Sequence, residues 1–198
     1  MTVPAREPGR PTLLFSGQFL STEEAADLVR ILQSSPNEAA TVGRGGDYAV
    51  RADIRRTRRI TVDQSWASLV ADRLDDWRER LASHFGERLT VRQEPQFLGY
   101  SAGDFFQPHQ DCGALASDPP FLLKRRVSVV VLLNPGDYDG GLLTLHSVPT
   151  PGSRLALPGK AGRLIGFPSW LVHEVTPVSR GERYSIACWY ESEDPLKG

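Results

Sequence analysis

From about residue 94 onward the chain is a succession of short apolar runs, each stopped by glycine, proline or aspartate. The runs are "PQFLGY", "RVSVVVLLN", "LLTLH", "GRLIGFP", "LVHEV" and "RYSIACWYE". They read as strands, and several short strands with turn signals between them restrict the fold to a sandwich, barrel or jelly roll. In the last run, strand alternation puts Arg183, Ser185, Ala187 and Trp189 on one face and Tyr184, Ile186, Cys188 and Tyr190 on the other.

The helical signal lies in the first half. "STEEAADLVRILQ" opens with a capping-box pattern, Ser21 followed three later by Glu24, with Ala25, Leu28, Val29 and Leu32 at helical spacing. A second helix is expected over Trp66 to Phe85, its stripe formed by Leu69, Val70, Leu74, Trp77, Leu81 and Phe85, with Gly86 as its stop. The expectation is therefore a mainly β protein with supporting helices (α+β), the helices packed on one sheet of a double sheet. A chain of 198 residues without a composition break reads as one domain, 1–198, with a flexible Pro-rich lead-in over 1–12.

Composition narrows the function. A 40% hydrophobic and 24% charged fraction is that of an ordinary soluble globular protein. A formal net charge of −1 argues against nucleic acid or anionic membrane as a generic partner. No segment is long and apolar enough to span a bilayer, and "MTVPAREPGRP" lacks the apolar core of a signal peptide. Cys112 and Cys188 form no disulfide framework, which suits a reducing compartment; the expectation is a cytoplasmic protein, monomer or homodimer.

The stretch "QPHQDCG" carries the chemistry. In an extended strand His109 and Asp111, two apart, share a face and aim one imidazole and one carboxylate the same way. Alone, the pair reads first as two polar residues on a solvated edge, since H-x-D recurs often by chance. His173, in the late run "LVHEV", offers a third donor from a distant strand. Two imidazoles and one carboxylate bind one face of Fe(II) and leave the other open for substrate and oxygen. Ten residues on, Arg183 opens the last strand beside Ser185. A buried guanidinium next to a hydroxyl is a ready carboxylate clamp; an exposed one would make a surface ion pair.

The combination of "YSAGDFFQPHQD", "GGLLTL" and "HEVTPVSRGERYSIACWY" resembles the 2-oxoglutarate/Fe(II)-dependent dioxygenases, in their prolyl-4-hydroxylase-like branch, over about residues 94–191. The resemblance implies a double-stranded β-helix, a cupin-like jelly roll with helices on one sheet. It places iron ligands on His109, Asp111 and His173, and anchors the far carboxylate of 2-oxoglutarate at Arg183, supported by Ser185 and Tyr100. It implies Fe(II), 2-oxoglutarate as co-substrate and O2, with decarboxylation to succinate coupled to hydroxylation of an unactivated C–H bond. Related halogenases lack the carboxylate at the Asp111 position, so its presence points to hydroxylation. The substrate implied is amino-acid-like: a prolyl or other residue in a protein or peptide, or a free amino acid or small natural-product intermediate. Arg183 stands where many of the prolyl hydroxylases carry lysine, and Phe106 where a tyrosine is common. The other class open to such a fold is a non-catalytic jelly-roll sensor or interaction module, which has no reason to keep the three ligands together with Arg183 and Ser185.

Further positions are weighed individually. Gln96 shares the Tyr100 face and Trp189 the Arg183 face, making both candidates for a substrate wall. Gly140 and Gly141 read as a tight turn into a strand. Cys112 and Glu174 are expected to point away from the ligands, the first into the core and the second into water. The segment "GRGGDYAVRADIRRTRR" is either a solvated edge strand or a mobile loop that closes over substrate, with Arg55 and Arg58 as its candidate substrate contacts.

Overall fold

The computed structural model describes residues 13–44 and 47–193. The lead-in over 1–12, together with Gly45 and Gly46 of the glycine-rich segment, lies outside the described residues. Helix α1, Thr22–Ser34, starts at Ser21 with the capping box complete: the Ser21 hydroxyl accepts from the Glu24 amide, and the Glu24 carboxylate accepts from the Ser21 amide. Helix α2, Gln64–Phe85, begins two residues before the expected start at Trp66, because Asp63 caps it, and ends at Gly86 in the left-handed conformation. Within the stripe, Val70, Leu74, Trp77 and Leu81 are buried, whereas Leu69 faces solvent.

All six expected strands are present, in two sheets. The larger has eight strands and runs Phe15–Gln18, Arg163–Pro168, Arg125–Leu132, Arg183–Glu191, Gln96–Tyr100, Arg58–Ile60, Asn37–Ala39, with Val91–Arg92 beside Arg183–Glu191. The smaller has five and runs Arg154–Leu157, Leu143–His146, His173–Val175, Phe105–His109, Arg55–Arg56. From residue 96 onward the chain crosses repeatedly between the sheets, which is the jelly-roll winding. The pairings that join the strands around the site are antiparallel.

The helices cover the outer face of the large sheet. Leu28, Leu32, Val70, Leu74 and Leu81 pack there against Phe97, Val129, Ile186 and Tyr190. The Tyr190 hydroxyl donates to the Leu74 carbonyl at 2.7 Å, and Arg73 of α2 grips the Glu24 carboxylate of α1 with both terminal nitrogens. A second apolar cluster, including Leu132, Leu145, Ile165 and Phe167, fills one end of the space between the sheets. A third cluster, of Leu98, Tyr100, Val175 and Val178, also packs between the sheets, and beside it the space is open. Among the described residues no helix is long and apolar enough to cross a membrane, and both cysteines are free thiols.

Candidate active site

Between the sheets lies a cavity of about 1100 Å³. The last strand divides as its alternation requires. Arg183, Ser185, Ala187 and Trp189 line the cavity, and Tyr184, Ile186, Cys188 and Tyr190 enter the helix-side core. Gln96, Leu98 and Tyr100 line it from the neighbouring strand, while Phe97 packs outward.

His109, Asp111 and His173 converge on this cavity, their donor atoms within 4.8 Å of one another. His109 and His173 sit directly opposite each other on adjacent strands of the small sheet. Asp111 is not on the strand: Phe105–His109 ends at the histidine, and the aspartate occupies the bend that follows. Its position comes from pairing rather than pleat, since the Asp111 amide donates to the Ser169 carbonyl at 2.9 Å. The carboxylate then spans the two rings, 3.5 Å from His109 Nε2 and 3.4 Å from His173 Nε2.

The ring nitrogens are assigned by their neighbours. His109 Nδ1 lies 2.8 Å from the Gln107 carbonyl and His173 Nδ1 lies 3.0 Å from that of Leu171. A carbonyl only accepts, so each Nδ1 carries the proton and each Nε2 turns a lone pair inward. Burial pushes the His173 imidazole down to about 4, against the pull of Asp111, so it is neutral at pH 7. Burial also opposes the Asp111 charge, but in the acid range where a carboxyl takes up its proton the protonated His173 imidazole, the bond to His109 and the Arg125 guanidinium outweigh it and hold the carboxyl well below the usual range. Two imidazoles with Nε2 turned inward and one carboxylate, all on one side, are a donor set suited to Fe(II). Three donors about 2.0–2.2 Å from a metal at right angles stand roughly 3 Å apart, so closing on an ion asks little movement.

Arg183 is the other polar centre. It is 1% exposed, lies directly opposite Tyr100 across the ladder, and has its guanidinium 4.9 Å from the Tyr100 ring. One terminal nitrogen donates to the Ser185 hydroxyl at 2.8 Å, and Nε is buried without a partner. No carboxylate among the described residues pairs with it. A buried cation without an anion is costly, and the vacancy is shaped for a carboxylate. The Gly140–Gly141 turn makes room: a Cβ on Gly141 would stand 3.0 Å from Arg183 Cδ.

Other positions differ from expectation. Arg55 lines the cavity, its guanidinium 4.7 Å from the Phe106 ring, but Arg58 does not. On its strand Ile60 faces the helices, so Arg58 does too, where it meets Glu182 at 2.7 Å; the neighbour that lines the cavity is Arg59. Cys112 is half-buried against the cavity rather than in the core. Glu174 is buried, not solvated, and is held by Arg154 and by His146 Nε2. Three residues were missed: Phe106 stacked on His109, Phe167 with its ring 4.7 Å from His173, and Arg125. The last lies over the Trp189 ring at 3.9 Å and donates to the Asp111 carbonyl at 3.1 Å. An arginine pair opening the apolar run "RRVSVVV" was the available signal for Arg125.

Similar proteins share this arrangement's sequence and fold. The family model described as the 2OG-Fe(II) oxygenase superfamily matches residues 95–191. A PKHD-type hydroxylase of Burkholderia thailandensis is 30% identical over 177 residues, 87% of this chain and 75% of the relative. Another, from Burkholderia ambifaria, is 32% identical over 186 residues, covering 92% and 76%. A Pseudomonas putida prolyl-4-hydroxylase superposes with a TM-score of 0.70 at 24% identity, over 92% of this chain and 94% of that one. A Trichoplax adhaerens prolyl hydroxylase, in complex with a hypoxia inducible factor peptide fragment, gives 0.71 at 22% identity, over 91% and 84%.

Proposed function

Because this chain belongs to the 2OG-Fe(II) oxygenase superfamily, in its prolyl-hydroxylase-like branch, we propose that it hydroxylates an amino-acid residue, first of all a prolyl residue, in a peptide or protein. One observation carries the reading of the site: the buried, acid-free Arg183 shares a cavity with His109, Asp111 and His173. The first needs an anion with a carboxylate, the second a metal, and 2-oxoglutarate joins them.

His109, Asp111 and His173 would hold Fe(II) at the small-sheet wall of the cavity. When bound, iron with 2-oxoglutarate and O2 supplies the oxidising power that yields succinate and places one oxygen atom in the substrate C–H bond. Arg183 and Ser185 grip the far carboxylate, and Tyr100 packs beneath the guanidinium. Leu98, Val175 and Ala187 line the cavity with apolar surface that keeps water from the reacting groups. Gln96, Trp189 and Arg55, farther out on the same walls, contact the substrate.

The named neighbours include a peptide-bound prolyl hydroxylase, and a cavity of about 1100 Å³ is at or above the size usual for small-ligand sites, both in favour of a peptidyl substrate. The free thiols suit the cytoplasm. The test is succinate release with Fe(II) and 2-oxoglutarate over proline-containing peptides and free amino acids. Substrate-dependent release with a peptide mass gain of one oxygen is expected. Stimulation by free amino acids alone would replace the peptidyl reading.

A further inference from the structure

The cavity-facing row of the large sheet ends in a charge that no group among the described residues answers. Pairing aligns Ser185, Leu98, Arg59 and Glu38 across successive strands. Leu98 and Ser185 line the cavity, so the alternation that turns Arg58 toward the helices turns Arg59 inward. Two strand spacings separate Arg59 from Ser185, about 10 Å along the sheet. That distance puts it well outside the co-substrate anchor, on an exposed part of the cavity lining.

The other arginines lining the cavity are engaged. Arg183 bonds to Ser185, Arg125 bonds to Gln93 and to the Asp111 carbonyl, Arg51 makes two bonds to Asp53, and Arg55 lies over Phe106 and donates to the Thr41 carbonyl. Among the described residues the exposed Arg59 side chain has no hydrogen bond, ion pair or ring contact. Glu38 faces it directly across the ladder, yet no ion pair within 4.0 Å joins them. The guanidinium is a free two-pronged donor at the mouth of a reaction cavity.

We propose that Arg59 is a specificity-determining residue that receives a carboxylate of the substrate, so the preferred substrate is acidic near the residue that is hydroxylated. The inference rests on the hydroxylase reading for what enters the cavity, but concerns recognition and not reaction. A peptide carries the carboxylate on an Asp or Glu side chain, a small molecule on its own acid group; the guanidinium chemistry is shared. Glu38 then works in opposition, as a like charge beside the incoming acid.

Binding tests this without turnover. The probes are fluorescein-labelled, end-blocked peptide pools with a central proline and Glu, Gln or Lys at the flanking positions, added to Fe(II)- and 2-oxoglutarate-loaded protein without oxygen. The Glu pool should bind about tenfold more tightly than the Gln pool, the scale of one charge-assisted pair. The advantage should shrink in about 0.5 M salt. Arg59→Gln should bring the Glu pool to the Gln level, and Glu38→Gln should tighten it. Arg59→Glu should turn the preference toward the Lys pool, a gain that misfolding does not produce. Competition by N-acetylglutamate at matching concentration would assign the carboxylate to a small molecule, and its failure to compete to a peptide. Equal retention of the three pools by the unmodified protein, or none of any, overturns the proposal, as does an unchanged preference in Arg59→Glu. Admitting oxygen afterwards separates the two readings: charge preference without hydroxylation of the bound peptides removes the prolyl reading and leaves the recognition.

Discussion

Phe106 lies flat against the imidazole of His109, ring centroids 3.5 Å apart and planes 16° from parallel. The Arg55 guanidinium lies over the same phenyl ring, and the His109 Nδ1–H is tied to the Gln107 carbonyl. Hydrogen bond and stack together fix both the rotation and the tilt of a ring whose other nitrogen faces the cavity. Supports of this kind typically change metal affinity by 10–100-fold when removed. Phe106→Leu is therefore expected to weaken Fe(II) binding about tenfold in anaerobic titration, with little loss of thermal stability because the residue is half-exposed. Phe106→Tyr keeps the stack and should bind iron normally. Unchanged affinity in the leucine variant would leave the hydrogen bond as the sole restraint.

Arg183 makes two opposite predictions. Its buried cation lacks an acid, so Arg183→Met should leave the protein without 2-oxoglutarate as stable as before, or more stable by about 1–3 kcal/mol. The same change should cost about 2–3 kcal/mol of 2-oxoglutarate affinity, with Fe(II) affinity unaltered. Arg183→Lys should fall between, since a point charge replaces a fork. Thermal denaturation with and without 2-oxoglutarate reads both effects. A variant that is destabilised alone and still stabilised by 2-oxoglutarate would refute the carboxylate anchor.

The sequence was legible where period and burial agreed. Residues 183–191 alternate between two buried environments, and both faces were read correctly from spacing alone. The histidines, too, could be found, because a late strand with one histidine has few other uses for it. Legibility failed where pairing overrides local pattern. Phe105–His109 contains Gln107 and Pro108 and is half-exposed, so it carries no apolar run; it forms because His173–Val175 and Arg55–Arg56 pair with it. The arginines of 55–59 concealed two strands in different sheets, and only Ile60 discloses their phase. Asp111 reaches the two histidines through a bond to Ser169, 58 positions away, which no i, i+2 rule contains. Glu174 looked solvated because Arg154 and His146, which neutralise it, come from elsewhere in the small sheet.

The Gly140–Gly141 turn allows two faults to be separated. Both residues have positive φ, +73° and +58°, so any side chain is strained. At Gly140 a Cβ would stand 2.2 Å from the Pro177 carbonyl oxygen, a backbone atom with no freedom to retreat. At Gly141 it would meet side chains, Val178 Cγ2 at 2.9 Å and Arg183 Cδ at 3.0 Å. Gly140→Ala should thus lower stability by about 2–4 kcal/mol, from strain plus displacement of the paired strand. Gly141→Ala should cost less stability and additionally weaken 2-oxoglutarate binding, because Arg183 must shift. Urea denaturation and co-substrate titration on the two variants check the contrast; equal effects on both measurements would contradict it.

Glu24 supplies a pH-dependent link between the helices. The Arg73 guanidinium, with help from the Ser21 amide, holds its carboxyl down to about 2 from the usual 4.5. A group whose folded value is depressed stabilises the fold above its unfolded value and loses that contribution as pH falls through the folded one. The contribution is thus complete above about pH 4.5 and fades between there and about 2. The Glu24 and Arg73 side chains are 34% and 32% exposed, so solvent screening limits the pair to about 1 kcal/mol. Glu24→Gln isolates the charge, since glutamine can still accept the Ser21 amide bond of the capping box. Urea denaturation at pH 6 should show the variant about 1 kcal/mol less stable, and repeating it at pH 4.5, 3.5 and 3 should show the gap narrowing steadily. Added salt should narrow it as well. A difference that stays constant with pH would mean that the charge of Glu24, with Arg73 as its partner, contributes nothing.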